Sequence, residues 1–132
     1  METLRVRTTA HEEMADVTAE IQGIIRARAW KNGAMLVFCP HTTGAVTINE
    51  GADPDVVRDM LVNLRGLIPR TGDYRHAEGN SDAHIKCSLV GPSVLVPVEA
   101  GRLALGTWQK IYFCEFDGPR ERSLWLTWLP GE

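Results

Sequence analysis

Three of the chain's four histidines fall in polar turns, where packing has no need of them. His76 and His84 bracket the segment HAEGNSDAH (76–84), and His41 opens HTTGAVTINEGADP. Neutral imidazole is the commonest nitrogen ligand for zinc, and three imidazoles around an open fourth position form a catalytic zinc pattern. His41, His76 and His84 are therefore the candidate metal ligands. Zinc suits such donors best, with magnesium the alternative wherever phosphate is handled. The spacing matches no compact zinc signature, so hydrogen-bonding loop histidines are the competing assignment. His11, in a charged stretch, reads as a surface residue.

Anion-binding groups lie beside these histidines. Thr42, Thr43 and Gly44 offer hydroxyl and backbone donors. Arg120 and Arg122, two apart on an extended segment, point the same way and could grip a phosphate with planar forks. A helix starting near Ser81 adds free N–H groups and a positive dipole end. The alternative is a solvated hairpin turn in which the arginines pair with Glu115, Asp117 or Glu121. Glu50, at the end of GAVTIN, and Glu115 with Asp117, at the end of WQKIYFCEFD, are the candidate catalytic acids: each could be a base, a ligand or an arginine partner. Trp108 reads as core. Lys86 is equally readable as a site residue or a solvent-facing one.

The elements that must position these residues follow from periodicity. Leu4, Val6 and Thr8 alternate with polar residues, as in a one-sided strand. Met14, Val17, Ile21, Ile24 and Ile25 recur at helical spacing, which predicts a helix from about Glu12 to Arg28, stopped by Asn32-Gly33. AMLVFC (34–39) and GAVTIN (44–49) read as strands, paired in a hairpin around Pro40 to Thr43. Asp53-Pro54 starts a helix with Val56, Val57, Met60, Leu61 and Leu64 as its stripe, ending near Gly66. PRTGDYRHAEGNSD (69–82) is a long polar loop of the kind that often carries function. Ser81 or Asp82 caps a third helix through Leu89, closed by Gly91-Pro92. The remainder reads as a four-strand meander: SVLVPV, RLALG, WQKIYFCEF and RSLWLTWL.

Those last strands bear apolar residues on both faces. Leu124, Leu126 and Trp128 share one face with Arg122, while Trp125 and Leu129 lie on the other; Ile111 and Phe113 oppose Tyr112 and Phe116. A sheet with water on one side alternates more cleanly. Both faces should be covered, either by a neighbouring subunit whose sheet packs on this one or by a second sheet within the chain.

At 132 residues the chain is expected to form one domain, residues 1–132, with a core that needs no disulfide or metal support. A net charge of −3 argues against a nucleic-acid or anionic-membrane partner. No apolar run reaches the length of a signal peptide or membrane span, so the expected location is the cytoplasm. Cys39, Cys87 and Cys114 have no CxxC spacing and suit a reducing compartment as small buried apolar residues. Their apolar neighbours argue against a nucleophilic thiol, because burial raises the thiol pKa. P-loop, GxGxxG, GxSxG and EF-hand patterns are absent.

Taken together, HTTGAVTINEGADP, GDYRHAEGNSDAHIKCSLVG and LALGTWQKIYFCEFDGPRER resemble the YjbQ-like family, from roughly Leu4 to Leu129. The motifs that carry the resemblance are the HTT and NE phrase, the HxxGNxxAH segment, and the GTWQ to DGPR block, in that order. The resemblance implies an α+β fold of mostly antiparallel sheets with about three helices, the sheets packing orthogonally in a homotrimer. It also implies weak, secondary thiamine-phosphate synthase activity. The family's polar positions fall on His41, Thr42, Thr43 and Glu50, on His76, Asn80 and His84, and on Gln109, Glu115, Asp117, Arg120 and Arg122. Of these, Thr42, Thr43, Asn80, Gln109, Arg120 and Arg122 are the expected substrate contacts. Thr43 stands where the family frequently has Ser, and the hydroxyl is kept.

The leading expectation is a metal-assisted enzyme acting on a phosphorylated small molecule. Loss of diphosphate demands stabilisation of departing negative charge in a site that excludes water. Such a departure usually uses carboxylate-bound magnesium, whereas an imidazole site fits a hydrolase or lyase more naturally. The alternatives are therefore a metal-dependent hydrolase and a non-catalytic trimeric metal- or ligand-binding module.

Overall fold

The computed structural model describes residues 1–131. In chain order the elements are β1 (Glu2–Arg7), β2 (Glu13–Asp16), α1 (Thr18–Ala27), β3 (Gly33–Phe38), β4 (Gly44–Glu50), α2 (Pro54–Leu67), α3 (Ser81–Val90), β5 (Ser93–Glu99), β6 (Arg102–Leu103), β7 (Gln109–Glu115) and β8 (Glu121–Pro130). They form an α+β fold of two antiparallel sheets. One has the order β1-β8-β3-β5-β6, the other β2-β7-β4.

Packing of the two sheets explains why β7 is apolar on both sides. Ile111 and Phe113 meet Met35, Val37, Leu124 and Leu126 of the larger sheet, together with Ile21 and Ile25 of α1. Cys114, and Phe116 just beyond the strand, face the opposite way, into a second cluster with Ala45, Ala83, Leu61 and Leu64 under α2 and α3. The larger sheet is covered on its inner face only. Its outer face carries Phe38, Leu95, Trp125 and Leu129, which are 36–59% exposed. Register makes them neighbours: Phe38 lies opposite Trp125, Ala34 opposite Leu129 and Leu36 opposite Leu95. The second sheet of the chain thus accounts for β7, and the outer face of β8 is left open.

Three sequence expectations are corrected. The helix from Glu12 begins only at Thr18, because Glu13–Asp16 pair with β7 as a strand. There Met14 packs into the cluster under the helices and Ala15 into the one between the sheets, the alternation of a strand. Strands β3 and β4 do not form a hairpin: β3 pairs with β5 and β8, β4 with β7, so residues 39–43 cross from one sheet to the other. The expected meander is likewise divided between the sheets; only β5 and β6 are sequential partners, and β6 is two residues long. Helix α2 starts as expected, with Asp53 accepting from the Asp55 N–H at 2.9 Å and Pro54 in its first turn. The residue before α3 is Asn80, whose side chain makes no capping bond; Ser81 and Asp82 lie inside the helix. No helix among the described residues is long and apolar enough to cross a membrane.

Candidate functional site

The crossing segment after β3, the long loop before α3 and the turn between β7 and β8 converge on one side of the molecule. Together they line a cavity of about 290 Å³ with Thr42, Thr43, His76, Glu78, Asn80, His84 and Arg120. Six of these were expected from the sequence, and Glu78 was not. The rings of His76 and His84 pack edge to face with centroids 5.4 Å apart. Glu78 Oε2 lies 3.8 Å from His76 Nε2. The same two histidines also border a second recess, of about 410 Å³, whose walls include Tyr74 and Ile85.

His41 is not part of that pair. Its Nε2 accepts a 3.0 Å hydrogen bond from the Ser123 N–H, and its ring stands edge-on to Phe113. An accepting Nε2 requires the neutral ring with its proton on Nδ1. Burial, reinforced by the Arg122 charge, lowers its pKa below the ordinary histidine value and favours that form. Among the described residues no three His, Cys, Asp or Glu side chains are gathered to hold a metal ion. The His76–His84 pair has the donor chemistry of a zinc site, but it is one ligand short of the three that a catalytic zinc normally draws from the protein. The three-histidine cluster expected from the sequence is therefore not closed within this chain.

Behind the cavity lies a buried ionic layer. Arg122 and Glu115, 4% and 0% exposed, are consumed by each other. Arg122 donates from Nε to Glu115 Oε1 at 2.9 Å and from Nη2 to Oε2. Glu115 also accepts from Thr8 Oγ1 at 2.7 Å and from the Asp117 N–H at 3.1 Å. Burial pushes the Glu115 pKa up, but the hydrogen bonds from Arg122, Thr8 and Asp117 outweigh it and hold it below the usual carboxylate value. Arg122 Nη2 reaches on to Thr43 Oγ1 at 2.9 Å. Glu115 and Arg122 thus set the position of a cavity threonine and do not face the cavity as an acid and an anion clamp.

Asp117 has a similar part. Its Oδ2 accepts from both Asn80 Nδ2 and Arg120 Nη2 at 2.8 Å, and its carbonyl accepts from Arg120 Nε. Because the Asn80 amide must turn its nitrogen to the carboxylate, its Oδ1 is fixed, and that oxygen is buried without a partner among the described residues. Glu50 and Gln109 lie elsewhere. They oppose each other at the far end of β4 and β7, six residues and about 20 Å along the strand from Gly44. There Glu50 accepts from the Asp53 N–H and Gln109 from the Gly106 N–H.

Other residues differ from their sequence reading. Lys86 is completely buried, with Nζ 2.9 Å from both Glu12 and Asp82; Glu12 is also held by Arg65 of α2. This network ties α3, which bears His84, to α2 and to the segment before β2. The i, i+4 spacing of Asp82 and Lys86 hinted at it, whereas Glu12 and Thr8 gave no signal. Trp108 is 63% exposed and not core. His11 is half-buried with Nδ1 3.2 Å from the Gly118 carbonyl, clasping the turn after β7. All three cysteines are buried and free; burial raises Cys39 to about 11 and Cys114 to about 12.

This geometry sits in a known family setting. Residues 2–131 match the family model described as "UPF0047 protein YjbQ-like". The chain belongs to the UPF0047 (YjbQ-like) family. Its sequence is 50% identical to the UPF0047 protein YugU of Bacillus subtilis over 127 residues, covering 96% of each chain. It is 46% identical to the UPF0047 protein MJ1081 of Methanocaldococcus jannaschii, over 92% of this chain and 88% of that one. Among solved structures, a YjbQ/UPF0047 protein from Clostridium acetobutylicum superposes with a TM-score of 0.95 at 47% identity, covering 98% of this chain and 100% of that one. The conserved hypothetical protein TT1486 of Thermus thermophilus gives 0.92 at 41% identity, with 98% and 100% covered. In this UPF0047 chain the HxxGNxxAH segment supplies His76, Asn80 and His84 to one cavity, and the HTT phrase supplies Thr42 and Thr43.

Proposed function

We propose that this cavity binds a phosphorylated small molecule and catalyses a reaction on it, with weak thiamine-phosphate synthase activity as the family resemblance implies. The observation that carries the reading is the joining, in one wall, of a packed imidazole pair with Arg120 and two threonine hydroxyls. Arg120 spends Nε and Nη2 on Asp117, so its fork is oriented before a ligand arrives and Nη1 is left to meet phosphate oxygens. Thr42 and Thr43 add neutral donors. His76 and His84 can pass a proton to a leaving oxygen. They are also the residues that would hold a divalent ion, zinc best matching imidazole, which would supply further stabilisation of departing negative charge.

Assembly belongs to the same reading. Phe38, Leu95, Trp125 and Leu129 form a continuous apolar face on the larger sheet, and the resemblance suggests that copies of the chain cover it in a homotrimer with orthogonally packed sheets. The buried free thiols suit a reducing cytoplasm.

The test is thiamine-phosphate formation by the purified protein alongside metal analysis, comparing wild type with His76→Ala, His84→Ala and Arg120→Ala. Each variant should lose at least about 100-fold in rate, the range expected for a positioned acid or anion-stabilising group. Metal loss in His76→Ala at an unchanged rate would refute the metal-assisted mechanism. Ligand binding without turnover in the wild type would leave a binding module in place of an enzyme.

A further inference from the structure

A second cavity, of about 500 Å³, lies between the end of α1 and the β5–β6 turn and shares no residue with the one above. Among the described residues its walls carry Arg26, Lys31 and Arg102 and no acidic side chain. Among the described residues none of these three cations forms an ion pair. Lys31 reaches over the turn, its Nζ 3.6 Å from the position a Cβ on Gly101 would take.

A bland role would be to neutralise the carbonyl end of α1. Three of the last four carbonyls, however, already have donors: Ile24 from the Arg28 N–H, Ile25 from Trp30 and Arg26 from Ala29. Three other acceptors along the cleft are also spent. The Gly101 carbonyl takes the Gln22 amide at 2.8 Å, the Gln22 oxygen takes the Leu103 N–H at 3.0 Å, and the Lys31 carbonyl takes the Gly101 N–H at 2.9 Å. The ionisable side chains that line the cleft are all cationic. Its frame is rigid: Gln22 clips the turn, and Trp30 stacks on Trp128 with ring centroids 5.1 Å apart. The chain's two non-glycine residues of positive φ among those described, Ala29 and Ala100, both line it. Each carries a left-handed conformation that costs about 1–2 kcal/mol for an L-residue, and such outliers concentrate at binding sites.

We propose that this cleft is a second anion site, which binds the phosphate groups of a small polyphosphorylated ligand through Arg26, Lys31 and Arg102. The volume suits a ligand of nucleotide size. Trp30, at the wall, offers an aromatic surface for a ring attached to the phosphates.

The test is calorimetric titration of the full-length protein with inorganic tripolyphosphate and, separately, with a nucleoside triphosphate, without divalent metal, at low and physiological ionic strength. Wild type should bind tripolyphosphate, more weakly at the higher salt. Arg26→Gln with Arg102→Gln, both exposed and so expected to leave thermal stability unchanged, should weaken binding by about tenfold or more, since two charge-assisted contacts are lost. Arg120→Gln should keep the component of binding that the double variant removes, which separates the outcome from that of the first cavity. Tighter binding of the nucleoside triphosphate would assign its base to Trp30; equal binding would assign recognition to the phosphates alone. No binding at low salt, or binding lost in Arg120→Gln and kept in the double variant, would overturn the proposal.

Discussion

Replacing Arg122 by Met should unfold the protein far more easily than the loss of one side chain's packing would. In the wild type the Glu115 carboxylate is completely buried, and Arg122 provides two of its four hydrogen bonds. Met fills a similar volume, so the main change is an uncompensated buried charge. Breaking such a pair costs about 3–5 kcal/mol. For 132 residues at about 2.1 cal/mol/K each, the unfolding entropy is about 280 cal/mol/K, and the melting temperature should fall by about 11–18 °C. The second replacement decides the cause. Glu115→Gln on the Arg122→Met background removes the charge while its one amide oxygen still accepts from Thr8 or from Asp117, so it should recover about half of the loss. The pH dependence carries the same signature. In the wild type the Glu115 pKa lies below its ordinary 4.5, so its contribution is complete above 4.5 and is lost as pH falls through the folded value. In Arg122→Met, burial acts with less opposition and raises that pKa, so the deficit against wild type should shrink on acidification. Urea unfolding at fixed protomer concentration, across this pH range, measures both. A loss under about 1 kcal/mol, independent of pH and unrelieved by Glu115→Gln, would refute the reasoning.

Other outcomes follow from the same contacts. Lys86→Met should cost about 3 kcal/mol by stranding Asp82 and leaving Glu12 with Arg65 alone, with partial recovery on adding Asp82→Asn, both read by chemical denaturation. Gly44→Ala would place a Cβ 2.6 Å from Phe113 Cζ, so the HTT segment must shift, and stability should drop by about 1–3 kcal/mol with weaker ligand binding in calorimetry. His41 has a lowered pKa, so its contribution is complete above 6.5 and declines as pH falls toward the folded value. The stability gap between wild type and His41→Ala should therefore narrow on acidification through that window. If copies of the chain cover the open sheet face as proposed, wild type should sediment as a trimer and Trp125→Glu as monomers in analytical ultracentrifugation, and an assembly unchanged by Trp125→Glu would remove that face from the interface.

Much of the cavity was legible in the sequence because its residues are close together in three short phrases. Thr42 with Thr43, His76 with Asn80 and His84, and Arg120 all reach it from segments whose polarity in turns had no packing explanation. The motifs gave residue types and their grouping, not their roles. Arg122 looked like Arg120 on an alternating strand, but only the register of β8 beneath the HTT segment shows that it is buried against Glu115. Glu50 and Gln109 belong to the right motifs and lie a strand's length away, since β4 and β7 run from the cavity to the opposite end of the sheet. The helical spacing from Met14 to Ile25 is coincidental for its first members, where pairing with β7 outweighs local preference. Lys86 and Glu12 are 74 positions apart, and no local pattern records such a contact.

The most direct measurement is the response of the histidine rings to a phosphorylated ligand, followed by long-range proton–nitrogen NMR during titration with thiamine phosphate. His76 and His84 should shift together and saturably, His11 should not move, and Arg120→Gln should abolish the response. Shifts spread equally over His11, or a response that persists in Arg120→Gln, would contradict a phosphate site built on the His76–His84 pair.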